Sequence, residues 1–141
     1  MAIDDPNPPK DEAGTAGKWA DAWGSYVDGC VQLAPGASQL MKQSFKGVMM
    51  SAFAPVPVPI VFMLALEGAM RAGWASAIAM PPLLSIIPAP APFAPMGLAA
   101  VTAGLASDKK KTGREILATA IHTWTTTHIV VGPTGPVGPV S

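Results

Sequence analysis

Charge is scarce in this chain. Only 13% of its 141 residues are Asp, Glu, Lys or Arg, about half the usual share of roughly 25%. Acidic and basic residues balance at nine each, so there is no basic footprint for nucleic acid. The single cysteine, Cys30, excludes an internal disulfide framework and a cysteine-rich zinc site. Placed among helical residues, it reads as a small buried hydrophobe rather than a reactive thiol. The two histidines, His122 and His128, match no local metal motif. No P-loop, GxSxG or strand-borne GxGxxG occurs. The sequence therefore gives no catalytic residue, no cofactor and no metal, and the expectation is that the chain is not an enzyme. The opening MAIDDPNPPKDEAG lacks a basic stretch followed by an apolar one, so no secretory signal is read and cytoplasmic synthesis is the default expectation.

What the chain has instead is apolar surface and proline. Half its residues are hydrophobic, and Pro (16) and Gly (14) make up about a fifth of it, against roughly 12% on average. From Gly47 to Ser107 the only charges are Glu67 and Arg71. A lone subunit has too few polar groups to cover itself, and such a surface calls for other copies, a partner or lipid. Zero net charge also favours self-association.

The pattern predicts a mainly α protein: several short helices, extended Pro-rich segments and a short C-terminal β element. Residues 1–17 are rich in Asp, Pro, Gly and Lys and read as an extended N-terminal arm. Residues 18–131 form a single helical domain, and 132–141 a Gly/Pro-rich tail, extended and docked on a partner or loose. Trp19, Trp23, Tyr26, Val27 and Cys30 recur at helical spacing over Lys18–Val31. Their aromatic stripe suits core or interface packing. Pro35-Gly36 breaks the pattern. Ser38 then reads as the N-cap of an amphipathic helix running to about Phe53.

The apolar centre, Ala54–Pro95, carries two proline-alternating stretches around one helix. Pro55, Pro57 and Pro59 remove amide donors and hold their neighbours extended. Leu83–Pro95 reads as a second stiff extended run. Between them, Ile60–Met80 has 21 residues, close to the roughly 20 that cross a bilayer. Glu67 and Arg71 sit in its middle, where each would cost about 2.5–3.5 kcal/mol in lipid before pairing. Spaced i,i+4, they read as a structural ion pair on a soluble helix. A membrane-embedded 60–80 segment is the alternative.

Met96–Ala106 reads as a short Ala-rich helix. Lys109, Lys110 and Lys111 read as a solvated turn. Thr112 and Glu115 match a capping box, opening a helix from Gly113 to Thr125. The β-branched run Thr125–Val131 reads as a strand.

The run GREILATAIHTWTTTHIVVGPTGPVGPVS places a helix with a late aromatic before a Thr/Val strand and a Gly/Pro/Val tail. It resembles the ends of small virion structural proteins of tailed phages and related contractile injection particles, over about Thr112–Ser141. The resemblance implies a multi-copy structural part without catalysis, in a virion or phage-like particle. The Pro-rich centre departs from that pattern, and no site residue carries over. The functional expectation is a structural subunit that self-associates and docks with other structural proteins of the same particle, with no nucleic-acid partner. A membrane-associated protein is the alternative. Trp19, Trp23, Tyr26, Trp74 and Trp124 are the expected interface residues.

Overall fold

Alanine-rich and amphipathic stretches separated by Pro and Gly turns set the element order. In the computed structural model, residues 12–50, 59–106 and 110–141 are described. Five helices lie among them: α1 Glu12–Asp28, α2 Ala37–Met49, α3 Pro59–Ala75, α4 Ala94–Ala106 and α5 Lys110–Thr125. Three short strands, β1 Ser85–Ile87, β2 Ile129–Gly132 and β3 Gly135–Pro139, form an antiparallel sheet in the order β1-β2-β3. The protein is thus mainly helical with a small sheet near its C-terminus. The Pro55–Val58 stretch lies outside the described residues, as do 1–11 of the N-terminal arm and the 107–109 part of the lysine turn.

Several boundaries differ from the sequence expectation, each for a physical reason. Helix α1 begins at Glu12, inside the expected arm, because Ala16 is fully buried and gives the first turns something to pack on. Helix α2 is entered from Gly36, whose φ of 81° suits glycine. Ser38 is therefore not the N-cap. Buried in the first turn, its Oγ donates to Asp28 Oδ1 at 2.9 Å and ties α2 to the end of α1. Helix α3 stops at Ala75, short of Met80. The residues after it pair with the α1–α2 loop instead: the Ala34 amide donates to the Ile78 carbonyl at 2.8 Å and the Met80 amide to Gln32 at 2.7 Å. Thr112 lies inside α5, so the expected capping box does not open that helix.

The strand expected at Thr125 starts at Ile129. Thr125 Oγ1 donates to the Ile121 carbonyl at 2.7 Å and Thr126 Oγ1 to Thr123 at 2.9 Å. These threonines satisfy the last carbonyls of α5 rather than a ladder. The Gly/Pro tail is extended, but not loose: it turns at Pro133–Thr134 and returns as β3. Val140 is buried, and its amide donates to the His128 carbonyl at 3.2 Å.

The core is aromatic and methionine-rich. Trp23 stacks on Phe45 with centroids 4.9 Å apart and meets Trp74 edge-on at 6.2 Å. Met41, Met49, Leu66 and Met70 fill the space around them, all fully or almost fully buried. Gly73 lets α3 approach this cluster. A Cβ there would overlap the Trp23 ring and lie 3.2 Å from the Met41 carbonyl oxygen. Gly73→Ala should therefore destabilise the fold by about 1–3 kcal/mol, despite alanine's helix propensity of about 1 kcal/mol over glycine. Urea unfolding checks this; a stabilised variant would mean the Trp23 ring yields freely.

Candidate functional site: a charged clamp and an uncharged apolar end

Glu67 and Arg71 lie one turn apart on α3 and face the segment that joins β1 to α4. The Arg71 Nε donates to Glu67 Oε2 at 3.0 Å, which is the i,i+4 pair expected from the sequence. Its other partners are the unforeseen part. Arg71 Nη1 donates to the Ala89 carbonyl at 2.7 Å and Nη2 to Ala91 at 3.1 Å. Glu67 Oε1 accepts the amides of Phe93 at 2.6 Å and Ala94 at 2.8 Å.

Two charged side chains thus grip a strap, residues 88–93, by carbonyls on one stretch and amides on the next. This solves a problem set by the prolines. Pro88, Pro90 and Pro92 leave the strap short of amide donors, so its carbonyls need donors from side chains. The carboxylate also takes orphan amides at the α4 N-terminus, where a negative charge is favoured. Burial pushes the Glu67 carboxyl up, but the Ala94 amide, Arg71 and the Phe93 amide outweigh it and hold it below the usual carboxylate value.

Trp124 of α5 closes the clamp. Its Nε1 donates to the Ala91 carbonyl at 2.9 Å, and the Arg71 guanidinium carbon sits 5.2 Å from its ring centroid, within cation–π range. His128 lies beneath the strap, fully buried, and its Nδ1 accepts the Ala89 amide at 3.0 Å.

As a site for chemistry this arrangement has little to offer. Carboxylate and guanidinium are both engaged in holding backbone. Cys30 is a free thiol that burial pushes up to about 11, which keeps it protonated at neutral pH. Tyr26, half-buried, shares a 2.6 Å hydrogen bond between its hydroxyl and His122 Nδ1; burial, chiefly, raises its pKa. No group of three or more His, Cys, Asp and Glu side chains that could hold a metal exists among the described residues. No described helix is long and apolar enough to cross a membrane.

The five expected interface aromatics divide. Trp23, Trp74 and Trp124 are each 1% exposed and belong to the chain's own core. Trp19 and Tyr26 are half-buried, Trp19 packing edge-on against Phe62 of α3 with centroids 5.6 Å apart. The apolar surface lies elsewhere, on aliphatic residues. On the sheet, Ile86 and Val130 pair across β1–β2 facing the core, while the next pair, Ile87 and Ile129, faces outward and is exposed. Val137 of β3 is exposed as well, and so are Val31, Ile78, Met80 and Leu84 on the adjoining loops.

Backbone hydrogen bonds bring these loops to the sheet: the Val31 amide to the Ser141 carbonyl at 3.2 Å and the Leu84 amide to Val131 at 2.8 Å, besides the Met80–Gln32 contact. The Gln32 side chain adds bonds to Ser141 Oγ and the Ser141 amide at 2.9 and 3.1 Å. The segments forming this end, 29–41, 76–93 and 126–141, contain no Asp, Glu, Lys or Arg. Sequence reasoning missed the patch because its members come from three distant segments. The long uncharged runs were the available signal.

Comparison with family models, curated proteins and solved structures finds no match to this chain.

Proposed function

We propose that this protein is a structural subunit of a multi-copy assembly, of the phage or phage-tail-like kind that its C-terminal segment resembles. It acts by self-association and by docking with other structural proteins of the same particle, and does no catalysis. The observation that carries the reading is the uncharged apolar end. Val31, Leu84 and Val137 are each more than 60% exposed there, on segments joined by hydrogen bonds. Exposed apolar side chains gathered on joined segments suit an interaction site, and removing them from water yields about 25 cal/mol per Å². The clamp suits the same role, since it fixes the β1 edge of that surface to the helical body.

Sedimentation of the purified chain tests the proposal. The wild type should self-associate with rising concentration, or join a particle of defined mass. The double variant Ile87→Lys, Ile129→Lys should shift it at least tenfold in concentration toward monomer, with unchanged helical circular dichroism, because burying two unpaired charges opposes association. A wild type that stays monomeric at high concentration defeats the self-association reading. A wild type that needs detergent and floats with liposomes favours the membrane alternative, for which exposed Ile60, Val61 and Leu64 on α3 would be the contact.

A further inference from the structure

We propose that His128 makes the 88–93 strap an acid-operated latch: protonating its imidazole breaks the bond that holds the strap at Ala89 and loosens the strap and sheet from the helical body.

The argument starts from a donor facing a donor. A backbone amide can only donate, and the Ala89 amide points at His128 Nδ1 from 3.0 Å. That nitrogen must be bare, so the neutral ring carries its proton on Nε2. Acid adds the second proton at Nδ1, and the hydrogen bond is lost to two opposed N–H groups. The surroundings offer the cation no hydrogen-bond acceptor. The ring is fully buried, edge-on to Trp74 at 4.9 Å and to Trp124 at 4.5 Å, and Nε2 has no hydrogen-bond partner. Of the elements packed around it, α3 contributes Arg71, a like charge, and Glu67, whose oxygens already hold Arg71, Phe93 and Ala94. On α5 the titratable groups nearest in sequence are His122, bonded to Tyr26, and Glu115, more than three turns away. The strap and the strands carry no other ionisable side chain. Burial first, and Arg71 second, lower the His128 pKa from 6.5 to about 4.

The sign follows. The opened form takes up a proton near pH 6.5 and the latched form only near 4, so acid favours opening between those values. The opening equilibrium should rise about 30-fold at pH 5 and approach about 300-fold below pH 4. Glu67 acts later, because its folded value lies below the ordinary 4.5.

Hydrogen exchange at pH 7 and pH 5, corrected for intrinsic rates, tests the latch on the full chain. The strap, β1 and β2 should lose about 20-fold of their protection between these two values, while α1 and α2 keep theirs. His128→Asn, which retains a side-chain acceptor but cannot titrate, should abolish the difference. Should that variant fail to fold, ring-nitrogen NMR of the wild type serves, with Nδ1 bare at neutral pH and titrating near 4. Titration near 6.5, unchanged strap protection at pH 5, loss spread evenly over all helices, or the same acid response in His128→Asn would each overturn the proposal.

Discussion

Replacing Glu67 with alanine should lower the free energy of unfolding by about 2–4 kcal/mol, read as a fall in urea midpoint at unchanged slope. Three losses combine. The Phe93 and Ala94 amides, on buried residues at the start of α4, lose their acceptor. Arg71 loses its counter-charge while it stays packed against Trp124 and bonded to two carbonyls. The α4 N-terminus loses its nearby negative charge. The range lies below that for fully buried pairs because the Arg71 side chain is about a third exposed and water can partly replace the carboxylate. Glu67→Gln should cost less, since an amide oxygen can still accept from the strap. The carboxylate's folded pKa is lowered, so its stabilising effect is full above its ordinary 4.5 and disappears as pH falls through the folded value. Wild type and Glu67→Gln should therefore converge in strong acid. A gap that persists at pH 2 would show that the charge is not the cause.

Trp124→Ala should be at least as damaging, about 3–5 kcal/mol. The indole is 1% exposed and touches both layers of the site: the Ala91 carbonyl and Arg71 above, His128 below, and Phe93 at 5.7 Å between centroids. Removing it leaves a cavity where α5, the strap and β2 meet. Trp124→Phe separates packing from polarity. It keeps most of the ring contact and gives up the indole N–H, but the Ala91 carbonyl still accepts from Arg71 Nη2. A loss of only about 1 kcal/mol is expected. Near-equal effects of the two substitutions would mean the N–H bond outweighs the packing. The measurement is again equilibrium unfolding, with fluorescence from the three remaining tryptophans.

Local signals in the sequence carried the helices well and the connections poorly. The stripe of Leu40, Met41, Phe45, Val48 and Met49 is enough to locate α2, and the Glu67–Arg71 spacing is enough to pair those side chains. What the pair holds was not legible, because Phe93 and Ala94 are separated from Glu67 by a turn, a strand and the strap. Strand β1 was hidden by its neighbours: Pro81, Pro82 and Pro88 argue against a ladder, yet the three residues between them that pair, Ser85, Ile86 and Ile87, all keep their amides. The tail was misjudged for a similar reason. Pro136 and Pro139 cannot donate, but β3 lies at the sheet's edge, where missing donors are tolerated. His128 was readable in part. It shares a strand-like alternation with Val130, and that places it on the buried face. The aromatic spacing gave the helix face of Trp23 correctly, but only the three-dimensional packing decides that Trp23, Trp74 and Trp124 are buried inside the fold while the open apolar surface is aliphatic.

The hydrogen bonds between Gln32 and Ser141 close a loop of nearly the whole described chain, and β1 finds its partner only when residues 129–131 exist. Contacts of such long sequence separation form late and slow folding. On a ribosome, the helical part can pack while the strands are still being made, and the sheet must wait. The apolar end is therefore completed only after α1 to α5 have been made, when β2 and β3 reach β1. On the proposed reading, a copy becomes competent to associate only once β2 and β3 have joined β1.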